Sequence, residues 1–209
     1  MFGKVVYLAN VKTVVYMETN KSIAKRIIES YSLSFNNEIT SRLADIVYSR
    51  ELGRGELFLD EGQVSKSMGY VEKGIVRQFY YKNGKDLTEH FSSENRLFIC
   101  IESFLKQEPT RLMAEALEPA LVWGIRHDAF FQLVSDSPEM ALLYRKMLEH
   151  SLIESQVKAD MFRFETAHDR YEKFLKLFPE PAKRAPLIHI ASFLQMTPET
   201  LSRVRAGLL

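Results

Sequence analysis

The chain has 209 residues, 46% hydrophobic and 26% charged, with a formal net charge of +1. This is an ordinary globular composition, large enough for one big or two small domains, and it excludes a polycation that would coat nucleic acid indiscriminately. The one cysteine, Cys100, excludes an internal disulfide and a four-cysteine zinc or iron–sulfur centre within one chain, and points to a reduced, cytoplasmic setting.

Residues 1–16 contain apolar runs interrupted by Asn10 and Lys12, too short for a membrane span and without a small-residue cleavage motif; they read as a strand or as an extension ahead of Met17. From Ser22 to Tyr48 the period is helical, with Ile23, Ile27 and Ile28 on one face, a break at Ser34-Phe35-Asn36, then Ile39, Leu43, Ile46 and Val47. After Leu52 the period shortens. Strands are predicted at Glu56–Leu59, Tyr70–Glu72, Ile75–Tyr81, Leu87–Phe91, Leu97–Ile101, Arg111–Leu117 and Ala120–Ile125, punctuated by Gly53, Gly55, Gly62 and Gly74. Asn83-Gly84 between Tyr80-Tyr81 and Leu87 marks a tight hairpin. Many short strands at this spacing predict an antiparallel sandwich or barrel. Cys100, inside Leu-Phe-Ile-Cys-Ile, reads as a buried, inert thiol. The five histidines show no ligand-like spacing, so no metal is expected, and neither an acid–base pair nor a nucleophile elbow is evident, so the chain does not read as an enzyme.

Ser137-Pro138-Glu139 opens a helix that runs past Phe162, close to 40 Å at 1.5 Å per residue. One stripe holds Tyr144, Leu148, Ser151, Ser155 and Ala159, whose small members let a second helix approach; this is the candidate dimer seam. The Leu143, Met147 and Val157 face suits packing on the helix's own domain, and both uses are compatible. A further helix spans Thr166–Phe178, with Thr166 and Asp169 placed as a capping box and Pro179 and Pro181 at its end.

The closing stretch has two apolar-periodic segments: Leu187, Ile190, Ala191 and Leu194, then Leu201, Val204 and Leu208. Ala191 stands where the two helices must come close. Thr197 is a good N-cap and Pro198 suits the first helical position. This is the layout of a helix-turn-helix, whose second helix reads the major groove of double-stranded DNA. Its exposed positions offer Glu199, Ser202 and Arg203 for base edges and Thr197, Thr200 and Arg205 for phosphates. From Arg163 onward there are eight Lys/Arg against five Asp/Glu, which leaves 20 against 22 for the rest, a mildly basic tail on a mildly acidic body.

Taken together, Glu61-Gly62 after a strand, Val71-Glu72-Lys73-Gly74-Ile75-Val76-Arg77, and Ile190–Leu194 followed by Thr197–Arg203 resemble the Crp–Fnr family of bacterial transcription factors. The resemblance implies an α+β fold: an extension (1–20), an antiparallel, jelly-roll-like β-roll sensor domain (21–135), a long dimerisation helix (136–163) and a C-terminal helix-turn-helix domain (164–209). It implies a homodimer on a two-fold symmetric operator, with RNA polymerase as a candidate further partner and no membrane partner. Two departures from the family pattern matter. Gln195 holds the turn position usually given to glycine, at a cost of order 1 kcal/mol. The cyclic-nucleotide motif is also altered: Ser93-Glu94-Asn95 lacks its glycine, and in Thr110-Arg111-Leu112 the arginine stands one residue late, which in a strand turns it to the other face. Glu94, Asn95, Thr110 and Arg111 are therefore the effector-site candidates of an altered pocket, with cyclic nucleotide not expected and the effector open. The alternative is a β-roll ligand sensor whose C-terminal domain contacts protein instead of DNA.

Overall fold

The computed structural model describes residues 19–208, so the expectations for residues 1–16 lie outside the described residues. Helix α1 covers 19–30. Helix α2, Asn37–Ala44, is capped by Asn36, whose side chain accepts from the Ile39 amide at 2.9 Å. The helical spacing of Ile46 and Val47 misleads, because the helix stops at Ala44 and Val47–Leu52 forms β1, with Val47 opposite Ile125. A β-branched residue at a chain reversal satisfies either period, and the partner strand decides.

The remaining strands are β2 (Leu57–Leu59), β3 (Ser67–Lys73), β4 (Val76–Lys82), β5 (Lys85–Ser92), β6 (Leu97–Phe98), β7 (Met113–Ala116) and β8 (Ala120–Arg126). They form two four-stranded antiparallel sheets, ordered β1-β8-β3-β6 and β2-β7-β4-β5. The predicted strand Leu97–Ile101 is cut to two residues because a short helix, α3 (Ile101–Lys106), takes over. Asn83 (φ 53°) and Gly84 (φ 74°) make the expected tight turn between Lys82 and Lys85.

Two glycines shape the first sheet. Tyr48, Gly124, Gly69 and Phe98 lie opposite one another across β1, β8, β3 and β6. The Phe98 and Tyr48 rings occupy the space that a Cβ at Gly69 or Gly124 would need. Gly74 is held differently: its φ is +94°, its amide donates to Glu94 Oε1 at 2.9 Å, and a Cβ there would lie 2.8 Å from the Ala120 Cβ.

Past β8 comes α4 (His127–Asp136), a helix that the sequence reading did not anticipate, then α5 (Pro138–Phe164), 27 residues long and capped by Ser137 through the Met140 amide. Helix α6 (Ala167–Leu177) carries the complete Thr166–Asp169 capping box. Pro179 does end that helix, and it also begins α7 (Pro179–Arg184), since proline at a first helical position loses no hydrogen bond. The chain closes with α8 (Leu187–Phe193) and α9 (Pro198–Arg205).

Three apolar clusters hold these parts together. One joins α1, α2, α4 and the start of α5 to the outer face of the first sheet through Met68, Tyr70, Trp123 and Ile125. A second fills the space between the sheets with Leu52, Val71, Val76, Phe98, Ala114 and Val122. The third is shared: Ile75, Phe91 and Leu117 of the roll meet Met161 of α5 and Phe174, Ile190, Phe193 and Leu201 of the C-terminal helices. A unit this small buries too little apolar surface alone, and it borrows the wall of the roll.

Candidate functional site

Helices α8 and α9 are joined by a tight turn. Gln195 adopts φ 53°, the left-handed conformation that the glycine position of such a turn requires, and Ala191 is 1% exposed at the helix–helix approach. The Thr197 side chain caps α9 by accepting from the Thr200 amide at 3.2 Å. Leu201 and Val204 are buried, and so the opposite face of α9 presents Glu199, Ser202, Arg203 and Arg205 to solvent beside Thr197, with Thr200 half-buried. Arg203 and Arg205 take part in no ion pair among the described residues. The Glu199 carboxyl is held below its ordinary value first by its own backbone amide, then by the Thr197 hydroxyl and the charge of Arg203.

The second candidate is a cavity of about 1060 Å³ between the roll, α3, the inner face of α5 and the α6–α8 unit. The four effector-site candidates do not converge on it. Thr110 and Arg111 line it, Thr110 buried and Arg111 exposed at its rim. Asn95 accepts from the Tyr70 hydroxyl at 2.9 Å. Glu94 takes a bidentate pair of hydrogen bonds from Arg184 of α7, at 3.0 and 2.6 Å, and one from the Gly74 amide. Burial raises the Glu94 carboxyl, but the Arg184 hydrogen bonds, those from its own amide and the Gly74 amide, and the Arg184 charge together leave it lowered. The residues that sequence reasoning missed come from other elements: Gln78 and His90 from the roll, and Phe178 and Phe193 from the C-terminal unit. No sequence signal places these together, because they converge only when the C-terminal unit packs on β5.

Cys100 is buried, and burial pushes its thiol up to about 11; it accepts from Gln78 Nε2 at 3.3 Å. Burial first, then Lys158, Arg96 and His150, push His90 down to about 4. Two bases of the cavity wall are answered in place: Lys158 bonds Glu89, and Arg96 Nη1 bonds Glu154 at 3.2 Å.

The proposed seam residues are divided between two surroundings. The Tyr144 ring packs edge-on against Phe130 and Phe131 of α4, and Leu148, Ser151 and Ser155 border the cavity, while Ala159 is half-buried. The large apolar side chains that α5 exposes are Leu152 (72% exposed), Ile153 (63%) and, at its end, Phe164 (79%), none of which belongs to the expected stripe.

The C-terminal unit is tied to the roll by polar contacts as well as by the shared core. Buried Arg77, from the Val71–Arg77 motif, bonds Asp86, Thr88 and Glu115. Beside that cluster the Ser192 hydroxyl accepts from the Thr88 amide at 2.9 Å and donates to the Asp86 carbonyl at 3.3 Å. Strand β5 is an edge strand, and α8 covers its free groups. Arg184 pairs with Glu118 as well as Glu94.

Comparison with known proteins agrees with this geometry. Residues 49–137, from β1 to the start of α5, match the family described as the cyclic nucleotide-binding domain. Among solved structures, FixK2 from Bradyrhizobium japonicum superposes with a TM-score of 0.68 at 19% identity, covering 78% of this chain and 84% of that one. The CLP regulator of Xanthomonas campestris, described as c-di-GMP responsive, gives 0.65 at 16% identity, covering 83% and 91%. The catabolite activator protein of Thermus thermophilus gives 0.54 at 21% identity, covering 86% of each. No curated protein sequence matches the chain. Residues 49–137 thus match a cyclic nucleotide-binding domain, and the chain shares the α+β fold of these solved structures.

Proposed function

We propose that the protein is a DNA-binding transcription regulator that acts as a homodimer. The observation that carries this reading is the outward face of α9: a capped helix behind a left-handed turn, offering Glu199, Ser202 and Arg203 with no internal ion-pair partner for the arginine. Arg pairs with guanine and Glu accepts from the cytosine amino group, while Thr197, Thr200 and Arg205 are suited to phosphates. Dimerisation would use α5 around exposed Leu152, where Leu148, Leu152, Ser155 and Ala159 follow the alternating four- and three-residue spacing of a two-helix seam, with Leu148 and Ser155 at the border between this seam and the cavity.

Asp86, Thr88 and Ser192 link the roll to α8, so a ligand that favours one packing of these parts changes where α9 stands. A cyclic nucleotide does not fit this donor set: Glu94 is taken by Arg184, Asn95 by Tyr70, and Arg111 alone is left at the rim for a phosphate. No helix among the described residues is long and apolar enough to cross a membrane.

The test is selection of genomic DNA fragments by the purified protein, followed by titration of the selected site over a range of salt. Site-specific binding with a steep salt dependence is expected, and Arg203→Ala should cost about 1–3 kcal/mol and relax one position of the site. Unchanged affinity and site preference in that variant removes Arg203 from the readout; absence of any DNA selection removes the regulator reading. Leu152→Glu should shift a sedimenting dimer toward monomer, and a dimer of unchanged stability refutes the seam.

A further inference from the structure

We infer that the cavity between the roll, α5 and the C-terminal helices is a binding site for an uncharged, largely apolar small molecule, held jointly by the sensor roll and the helical unit that carries α9. Its size, about 1060 Å³, lies at the upper end of ligand pockets. Its charges cancel where they stand. Lys158 is bonded to Glu89 and Arg96 to Glu154, so neither is free to receive an anion without abandoning a carboxylate. Arg111 at the rim stands near Glu102 and Glu108; Glu102 also pairs with Lys106 at 2.7 Å, so these two bases and two carboxylates cancel. The inner wall adds groups that are neutral at physiological pH: the Cys100 thiol, the His90 imidazole and the Gln78 amide. Around them stand apolar side chains from opposite sides: Leu97 and Leu112 of the roll, Met147 of α5, and Phe178 and Phe193 of the C-terminal unit. An anionic ligand would lose its hydration for no net positive charge, whereas an apolar one gains from every wall.

The shared walls give the site its consequence. The same Phe193 ring lies under Lys158 and against Phe91, so an occupant touches the contacts that seat α8 on the roll. That coupling rests on the regulator reading above; the ligand class does not.

The experiment is a fluorescence titration of the purified full chain with N-phenyl-1-naphthylamine, a neutral apolar probe, beside its anionic relative 1-anilinonaphthalene-8-sulfonate and with cyclic AMP as competitor. We expect saturation at one neutral probe per chain, at least about tenfold tighter than the sulfonate, with no displacement by cyclic AMP. Leu112→Trp, from the roll, and Phe178→Ala, from the C-terminal unit, should each weaken the neutral probe about fivefold or more with far-ultraviolet circular dichroism unchanged. Equal or tighter binding of the sulfonate, displacement by cyclic AMP, or no saturation overturns the ligand class. Affinity unchanged in Leu112→Trp overturns the cavity as the site, and affinity unchanged in Phe178→Ala overturns the shared wall. Should either variant lose its fold, the comparison of the neutral and anionic probes on the natural chain still decides. Titration of the same preparation with its selected DNA separates the two proposals: probe binding without DNA binding refutes the regulator reading alone, and the reverse refutes only this one.

Discussion

His90 shows how one side chain reports on its surroundings. Its imidazole is pushed down to about 4 by burial and by the nearby Lys158, Arg96 and His150. The unfolded chain takes up that proton near pH 6.5, while the folded chain resists until about pH 4. The unfolded state therefore binds more protons across this window, and the stability present above pH 6.5 is lost as pH falls through it. Between pH 7 and pH 5 the loss amounts to about 2 kcal/mol. Urea unfolding at the two pH values should show a markedly smaller difference for His90→Phe. His189, lowered by burial and then by Arg77, keeps part of the slope. A variant that loses as much stability as the natural chain would refute this assignment. At this scale the sequence was informative wherever a residue acts through its own backbone: Asn83-Gly84, Thr197 and the left-handed position of Gln195 all stand as read. It was uninformative about Glu94 and Arg77, whose roles depend on partners 90 and 38 residues away.

Elements tell the same story with a different boundary. Strand and helix periods identified the roll, α5, α6, α8 and α9 because each buries one face against something large. Of the elements that escaped, α3 and α4 each follow closely on a strand and have no capping side chain at their N-terminus, so no start signal marks where the strand ends and the helix begins. In the first sheet the Tyr48–Gly124–Gly69–Phe98 row shows how composition serves packing, since two bare backbone positions let two rings lie flat against the strands. Gly69→Ala should therefore destabilise the roll by about 1–3 kcal/mol through overpacking against Phe98. The double variant Gly69→Ala with Phe98→Leu should recover part of that loss in thermal unfolding. Equal stability of Gly69→Ala and the natural chain would mean that Phe98 moves aside without cost.

Across the whole molecule, the decisive feature is that the C-terminal unit shares its core with the roll. Ser192 caps the free edge of β5, and Arg184 sits between Glu94 and Glu118. Ser192→Ala removes the acceptor of the Thr88 amide, whose hydrogen exchange should quicken about tenfold while the amides between β3 and β8 keep their rates. Arg184→Glu should expose the same edge by setting like charges against both carboxylates. If Thr88 exchange in both variants matches the natural chain, the docking contact is not what protects this edge.

From sequence alone the α+β class, the glycine-punctuated roll, the long capped helix and the outward face of α9 could be read, since each depends on local conformation or on a repeating burial period. The cavity, the pairing of Glu94 with Arg184 and the seating of α8 on β5 were decided only by the tertiary structure. These contacts join residues far apart in the chain, and nothing in a one-dimensional period records which surfaces meet when two units bury a common core.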